Sequence, residues 1–110
     1  AAGARALSRD LMILAALGYP LSDQAQAHLA QAPAQGGVVP SAELASALAV
    51  AVQAQSTGEV ALATALIAAP GANRLDAASL TSIIQALRMA GLDDAARAIA
   101  LEAMIGGPPP

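Results

Sequence analysis

Proline and glycine recur often enough along this chain to cut it into short segments, and the cuts fall at nearly regular intervals. Pro33 and Pro70 stand 37 residues apart, and Pro70 and Pro108 stand 38 apart. The polar residues that open apolar runs, Ser8, Ser41 and Asp76, are separated by 33 and 35 residues. Proline removes a helical N–H donor and glycine raises the entropic cost of ordering the backbone, so both act as stops. Helices shorter than about 12 to 15 residues are marginal alone in water. Segments of this length therefore gain their order by packing on one another, and the punctuation dictates how many there are.

Six segments carry helical spacing. The first, Ser8 to Leu17, places Leu11, Leu14 and Leu17 near one side and ends at Gly18-Tyr19-Pro20; the second, about Ser22 to Ala32, is the least apolar and stops before Pro33. After the loop APAQGGVVP, a third begins at Ser41 and sets Leu44, Leu48, Ala51 and Val52 on one face, with Ser56-Thr57-Gly58 closing it. The fourth, Glu59 to Ala69, is apolar nearly all round, which predicts burial on more than one side and a place at the centre of the domain. Asp76 caps the fifth, where Leu80, Ile83, Ile84 and Leu87 oppose Ser82, Gln85 and Met89. Gly91 ends it, and the sixth runs from about Asp93 to Ile105 with Ala96, Ile99 and Ala103 inward and Asp94, Arg97 and Glu102 outward. No segment shows the period-two alternation of a strand, apart from ALAVAV, whose caps favour helix.

The regular intervals group the six into three pairs, each a helix, a short turn and a second helix, at about 8–32, 41–69 and 76–105. Recurrence of such hairpins is the layout of an α-solenoid. In the last pair, Gly91 is followed by Ala96, Ala103 and Pro108 at intervals of five, seven and five. These positions resemble the tetratricopeptide repeat, which places a turn glycine, two small residues and a proline at that spacing. Residues 77–110 resemble one such unit, with the large aromatics of the repeat replaced by aliphatic residues such as Leu87. The resemblance implies a stack of antiparallel hairpins in which the first helix of each lines a concave face. It further implies that Thr81, Gln85, Arg88 and Met89 point into that face and that an extended peptide is the natural ligand, with Arg88 meeting an acidic side chain or a carboxylate terminus.

Composition narrows the function. The chain has 32 alanines in 110 residues and no Cys, Trp, Phe or Lys, which favours helices with thin, close-packed contacts. Its net charge is −3, and its basic residues, Arg5, Arg9, Arg74, Arg88 and Arg97, are scattered. A phosphate backbone calls for a basic stripe with stacking aromatics, so nucleic acid is not an expected partner. Without cysteine there is neither a disulfide framework nor a thiolate zinc site. Despite a mean hydropathy of +0.57, no uncharged run approaches the roughly 18 to 20 residues of a spanning helix, and the chain reads as soluble, with no membrane insertion. Its start, AAGARALSRD, lacks the pattern of a signal peptide and reads as part of a longer protein, and the final GGPPP reads as a Gly/Pro tail over 106–110. Localisation is not encoded in these features.

Four features invite a chemical reading and each has a plainer one. Asp93-Asp94 places two carboxylates side by side in the first turn of a helix, where they favour exposed N–H groups and the positive end of the dipole. General acid–base chemistry needs carboxylates converging across a cleft, so the pair marks a helix start. His28 has Gln24, Ala25, Gln31 and Ala32 at helical spacing, none a usual metal ligand, so neither a metal site nor a nucleophile partner is expected. Gly36-Gly37 lacks the spacing of a phosphate loop. Tyr19, the single aromatic, reads as a ring packed over helix ends, the alternative being a partner anchor.

The expectation from sequence is therefore an all-α domain, 1–105, of six short helices stacked as three hairpins in a solenoid resembling the tetratricopeptide type, the alternative being an irregular helical bundle. Its expected role is a non-catalytic interaction or scaffold module for a protein or peptide, without catalytic residues, cofactor or metal. A homo-oligomerisation face on the third and fourth helices, or an accessory domain of a larger enzyme or regulatory protein, are the alternatives.

Overall fold

The computed structural model describes residues 2–107 and 109. Six α-helices form: α1 (Ala2–Ala16), α2 (Asp23–Gln31), α3 (Ala42–Gln53), α4 (Thr57–Ala68), α5 (Ala77–Met89) and α6 (Asp93–Ile105), with a single 3₁₀ turn at Ala72–Arg74 before α5. Local chemistry sets most of these limits. Ser22, Ser41 and Asp76 adopt extended backbone and accept from the N–H groups of Ala25, Leu44 and Ser79, which satisfies one orphan donor at each start. Gly18 and Gly91 end α1 and α5 at positive φ, each with a pair of bonds running back into the last turn: Gly18 and Tyr19 to Ala15 and Leu14, Gly91 and Leu92 to Arg88 and Leu87.

Two boundaries depart from the sequence expectation. α1 starts six residues before Ser8, because the alanine-rich run ahead of that serine continues the helix. Ser8 is no cap: it is buried, and its hydroxyl donates to the carbonyls of Ala4 and Ala32, fastening the end of α2 to α1. α4 begins at Thr57, so Ser56-Thr57-Gly58 does not close α3 as a loop; the connection is Ala54 to Ser56 alone, turned by Gln55 at φ +54. In α6 the N-cap is Leu92, with no side-chain cap bond, so Asp93 and Asp94 act on the helix start through the dipole alone. Pro108, the last position of the repeat spacing, lies outside the described residues.

The core sits around α5. Leu80, Ile83, Ile84 and Leu87 are each 2% exposed or less, as the stripe predicts. Ala96, Ala100 and Ala103 of α6, all buried, let that helix lie close against it. The other main neighbours of α5 are α1, which brings Ile13 and Ala16, and the α3–α4 hairpin, which brings Leu48, Ala51, Val60, Ala63 and Ile67.

Three helix pairs are thus present, but they do not stack in chain order. A sequential solenoid would put the second pair in the middle. Here the third holds that place, with α1 packed on α5 and also touching α6. The expectation that α4 forms the centre fails for the same reason. Val60, Ala63, Thr64 and Ile67 are buried, whereas Leu62 and Leu66 on the other face are 61% and 50% exposed. Thr64 can lie inside because its hydroxyl bonds to the carbonyls of Val60 and Ala61 within its own helix.

One non-helical contact fixes the start of α3 relative to α5. The N–H of Val38 donates to Arg74 at 2.8 Å and that of Asp76 donates to Val38 at 3.0 Å, forming an isolated parallel bridge between Val38 and Leu75. Gly37 makes the approach possible: it has φ +104, and a Cβ there would lie 2.5 Å from the backbone nitrogen of Asp76. The bridged segments then enter α3 and α5 side by side, so the two helices start together and run in the same direction.

Replacing Ile84 by Ala should cost about 2 to 5 kcal/mol of stability, whereas Leu62→Ala should stay within about 0.5 kcal/mol; the urea midpoint separates the two. Gly37→Ala should destabilise by about 1 to 3 kcal/mol through backbone strain, and more than Gly91→Ala, where φ is also positive but no atom lies within 4 Å of the added methyl.

Candidate functional site

The parallel start of α3 and α5 leaves an open groove between them. The α3 wall carries Ala45, Leu48, Ala49 and Val52, the α5 wall Ala78, Ser82, Ile83 and Ala86, and Ile67 of α4 stands in the floor. Gln53, Ser79, Gln85 and Met89 contribute the remaining helical edges. The cavity measures about 540 Å³, and no charged residue lines it. A second hollow of about 290 Å³ shares Val52, Ala86 and Met89 with the first and continues it to Thr57 and Ala90, at the C-terminal ends of the two helices. The groove therefore follows the full length of α3 and α5.

The four candidate residues divide between two faces of α5. Gln85 and Met89 line the groove, and Met89, 75% exposed, is among the most exposed large apolar side chains. Thr81 is half-buried and its hydroxyl, though buried, has no hydrogen-bond partner. Arg88 points to α1, where its Nη1 donates to the carbonyl of Ala16 at 2.8 Å. The guanidinium thereby satisfies a carbonyl that the end of α1 would leave unpaired. Glycine at residue 18 follows from its φ of +98, and a Cβ there would in addition come within 2.7 Å of Arg88 Nη2. The groove roles that the resemblance implied for Thr81 and Arg88 are accordingly not met. The helical angle accounts for this: 85 and 89 lie with 78 and 82 on one side, while 81 and 88 lie about a quarter of a turn away, on the side opposite Ile83 and Ala86.

Arg88 lies instead in a smaller polar hollow of about 180 Å³ with Leu17, Tyr19, Asp93 and Arg97. Tyr19 is 61% exposed at its rim, so its ring does not cover the helix ends as expected from sequence. Arg97 pairs with Asp94 at 3.0 Å in an exposed i, i+3 contact, which adds little stability. Asp93 and Asp94 do not converge on a common point with a third carboxylate, and among the described residues no group of three or more His, Cys, Asp or Glu side chains is placed to hold a metal. His28 is half-buried, with Nε2 3.0 Å from the carbonyl of Ala4, and serves the α1–α2 contact.

The most unusual electrostatic feature is remote from the groove. Arg9 on α1 is only 3% exposed; its Nη2 donates to the Asn73 carbonyl at 3.1 Å, while Nε and Nη1 have no partner. Burial lowers its pKa, opposed by the charges of Asp10 and Asp76. The carboxyl of Asp10 is pushed up by desolvation, in part offset by Arg9. This cluster joins α1 to the 3₁₀ turn ahead of α5 and reads as structural. Nothing in the helical pattern of α1 marked Arg9 as an inward residue, since it adjoins Ser8 and Asp10 in the least apolar turn.

Comparison with protein-family models, with curated proteins and with solved structures finds no match.

Two predictions follow from these contacts. Arg88→Ala should lower stability by about 1 kcal/mol in chemical denaturation by freeing the end of α1. Because the folded state raises the Asp10 pKa, the protonated carboxyl is favoured on folding; that gain is complete below the unfolded pKa and disappears as pH rises through the folded one. Asp10→Asn should therefore have a higher thermal midpoint than wild type at pH 7, and the difference should close on acidification through the carboxylate range.

Proposed function

We propose that this chain is a non-catalytic interaction module that binds a protein or peptide partner along the groove between α3 and α5. The observation that carries the reading is an open, uncharged groove running the length of two parallel helices, with Met89 exposed at its edge. Buried apolar area drives most association, and a concave apolar surface with a few polar groups is the usual form of a binding site. Met suits the role, because its unbranched thioether adapts to differently shaped partners. On this reading α3–α4 and α5–α6 act as two adjacent units of a helical repeat, with α3 and α5 as the neighbouring first helices. Gln85 and Met89 belong to the contact surface, and Ala45, Ala49 and Gln53 join them from α3.

Affinity capture with wild type, Ala49→Arg, Met89→Glu and Leu62→Arg is the direct test. All three positions are exposed, so each variant should fold. A specific partner should be retained by Leu62→Arg and lost with both groove variants. Equal recovery of every partner by all four proteins would overturn the reading.

One observation favours a second reading. Leu62 and Leu66 lie one turn apart on α4 and are both exposed, an aliphatic stripe suited to a second copy of the chain. If that stripe joins two copies, light scattering should give a dimer mass for wild type and a monomer mass for Leu62→Arg.

A further inference from the structure

The groove's own chemistry restricts what can fill it, and the inference here rests on the interaction reading above. From Ala78 to Met89 the α5 wall extends about 16 Å at 1.5 Å per residue. An extended peptide of that length has about five residues, and so about ten backbone N–H and C=O groups. Helical walls offer no free backbone groups, because theirs are bonded internally. The polar side chains on the lining are Gln53, Ser79, Ser82 and Gln85, and the hydroxyl of Ser82 already donates to Ala78. The amides of an extended chain that face the walls of this open groove would go unpaired, at a cost of about 1 to 3 kcal/mol for each group left buried without a partner. A helix brings its backbone bonds with it.

The walls also have the shape that a helix needs. Ala45 and Ala49 on one side and Ala78, Ser82 and Ala86 on the other are small residues at helical spacing. Small residues let helix axes approach to the low end of the usual range, about 8 Å. A third helix laid along α3 and α5 would bury a stripe at i, i+3 or i+4 and i+7 over about three turns. Since no charged residue lines the groove, that stripe must be uncharged, because a charge buried there would go unpaired.

Charge does not set a direction along the groove: the positive dipole ends of α3 and α5 already carry the carboxylates of Glu43 and Asp76, and Glu59 stands at the opposite end.

We propose that the α3–α5 groove takes an amphipathic helix of about three turns, with an uncharged aliphatic stripe. The probes are two display libraries of 16-residue peptides screened against the 110-residue chain. One is an amphipathic-helix library varied over aliphatic residues along its stripe; the other is a linear library carrying a central proline. The helical library should yield binders that lose at least tenfold in affinity on Ala49→Arg and on Met89→Glu and are unchanged on Leu101→Arg, on an exposed face of α6 outside the groove, while the linear library yields none. A nitroxide on such a binder should broaden amide signals of both α3 and α5, and broadening that spares either helix would overturn the placement in the groove. Groove-dependent binders from the linear library alone would overturn the helical occupant and leave the interaction reading standing. No binder sensitive to Ala49→Arg from either library would overturn both.

Discussion

The burial of one helix holds this structure together. α5 presents Leu80, Ile83, Ile84 and Leu87 around enough of its circumference to meet α1, α6 and the α3–α4 hairpin. A stripe of this kind has the energetic weight of several fully buried aliphatic side chains, each worth about 1.5 to 3 kcal/mol. Among the described residues no other helix is comparably enclosed: α2 has no buried residue, and α4 leaves one aliphatic face in solvent. The one exposed face of α5 is the side that carries Ser82, Gln85 and Met89, and that is where the groove lies. Core and candidate site are thus two sides of the same thirteen residues.

Elements whose limits depend on neighbouring residues were legible from sequence. Ser41 and Asp76 cap where their side chains predicted, Gly91 ends α5, and α6 divides its inward alanines from Asp94, Arg97 and Glu102 as the helical period requires. The order of the hairpins was not legible. Equal intervals between Ser8, Ser41 and Asp76 describe three similar units without saying which sits between the others. That choice depends on long-range contacts such as Arg9 to Asn73 and Arg88 to Ala16, made by residues whose helical positions look solvent-facing. Ser8, read as the start of the first helix, lies inside α1 with a partner that local pattern could not show, since Ala32 is 24 residues away.

The candidate surface was half legible. Gln85 and Met89 could be placed opposite the apolar stripe because the 3.6-residue period is local. Thr81 and Arg88 could not be separated from them without knowing where α1 would land. The α3 wall was legible in part: Leu48 and Val52 belong to the face read from sequence, while Ala45, Ala49 and Gln53, beside it at i, i+4 and i+8, carried no signal of their own. The bridge through Gly37 and Val38 that sets the start of α3 beside α5 is a long-range contact outside any helical pattern.

That bridge has a meaning in time as well as in space. Val38 lies in the connection between the first and second hairpins, yet its hydrogen-bond partners are Arg74 and Asp76. Ile13, Ala16 and Arg9 likewise find their places only against α5 and the turn that precedes it. In folding, therefore, the contacts that place α1 and Val38 can close only once the residues beyond Asn73 are in reach, whereas α3 and α4 can pair before them.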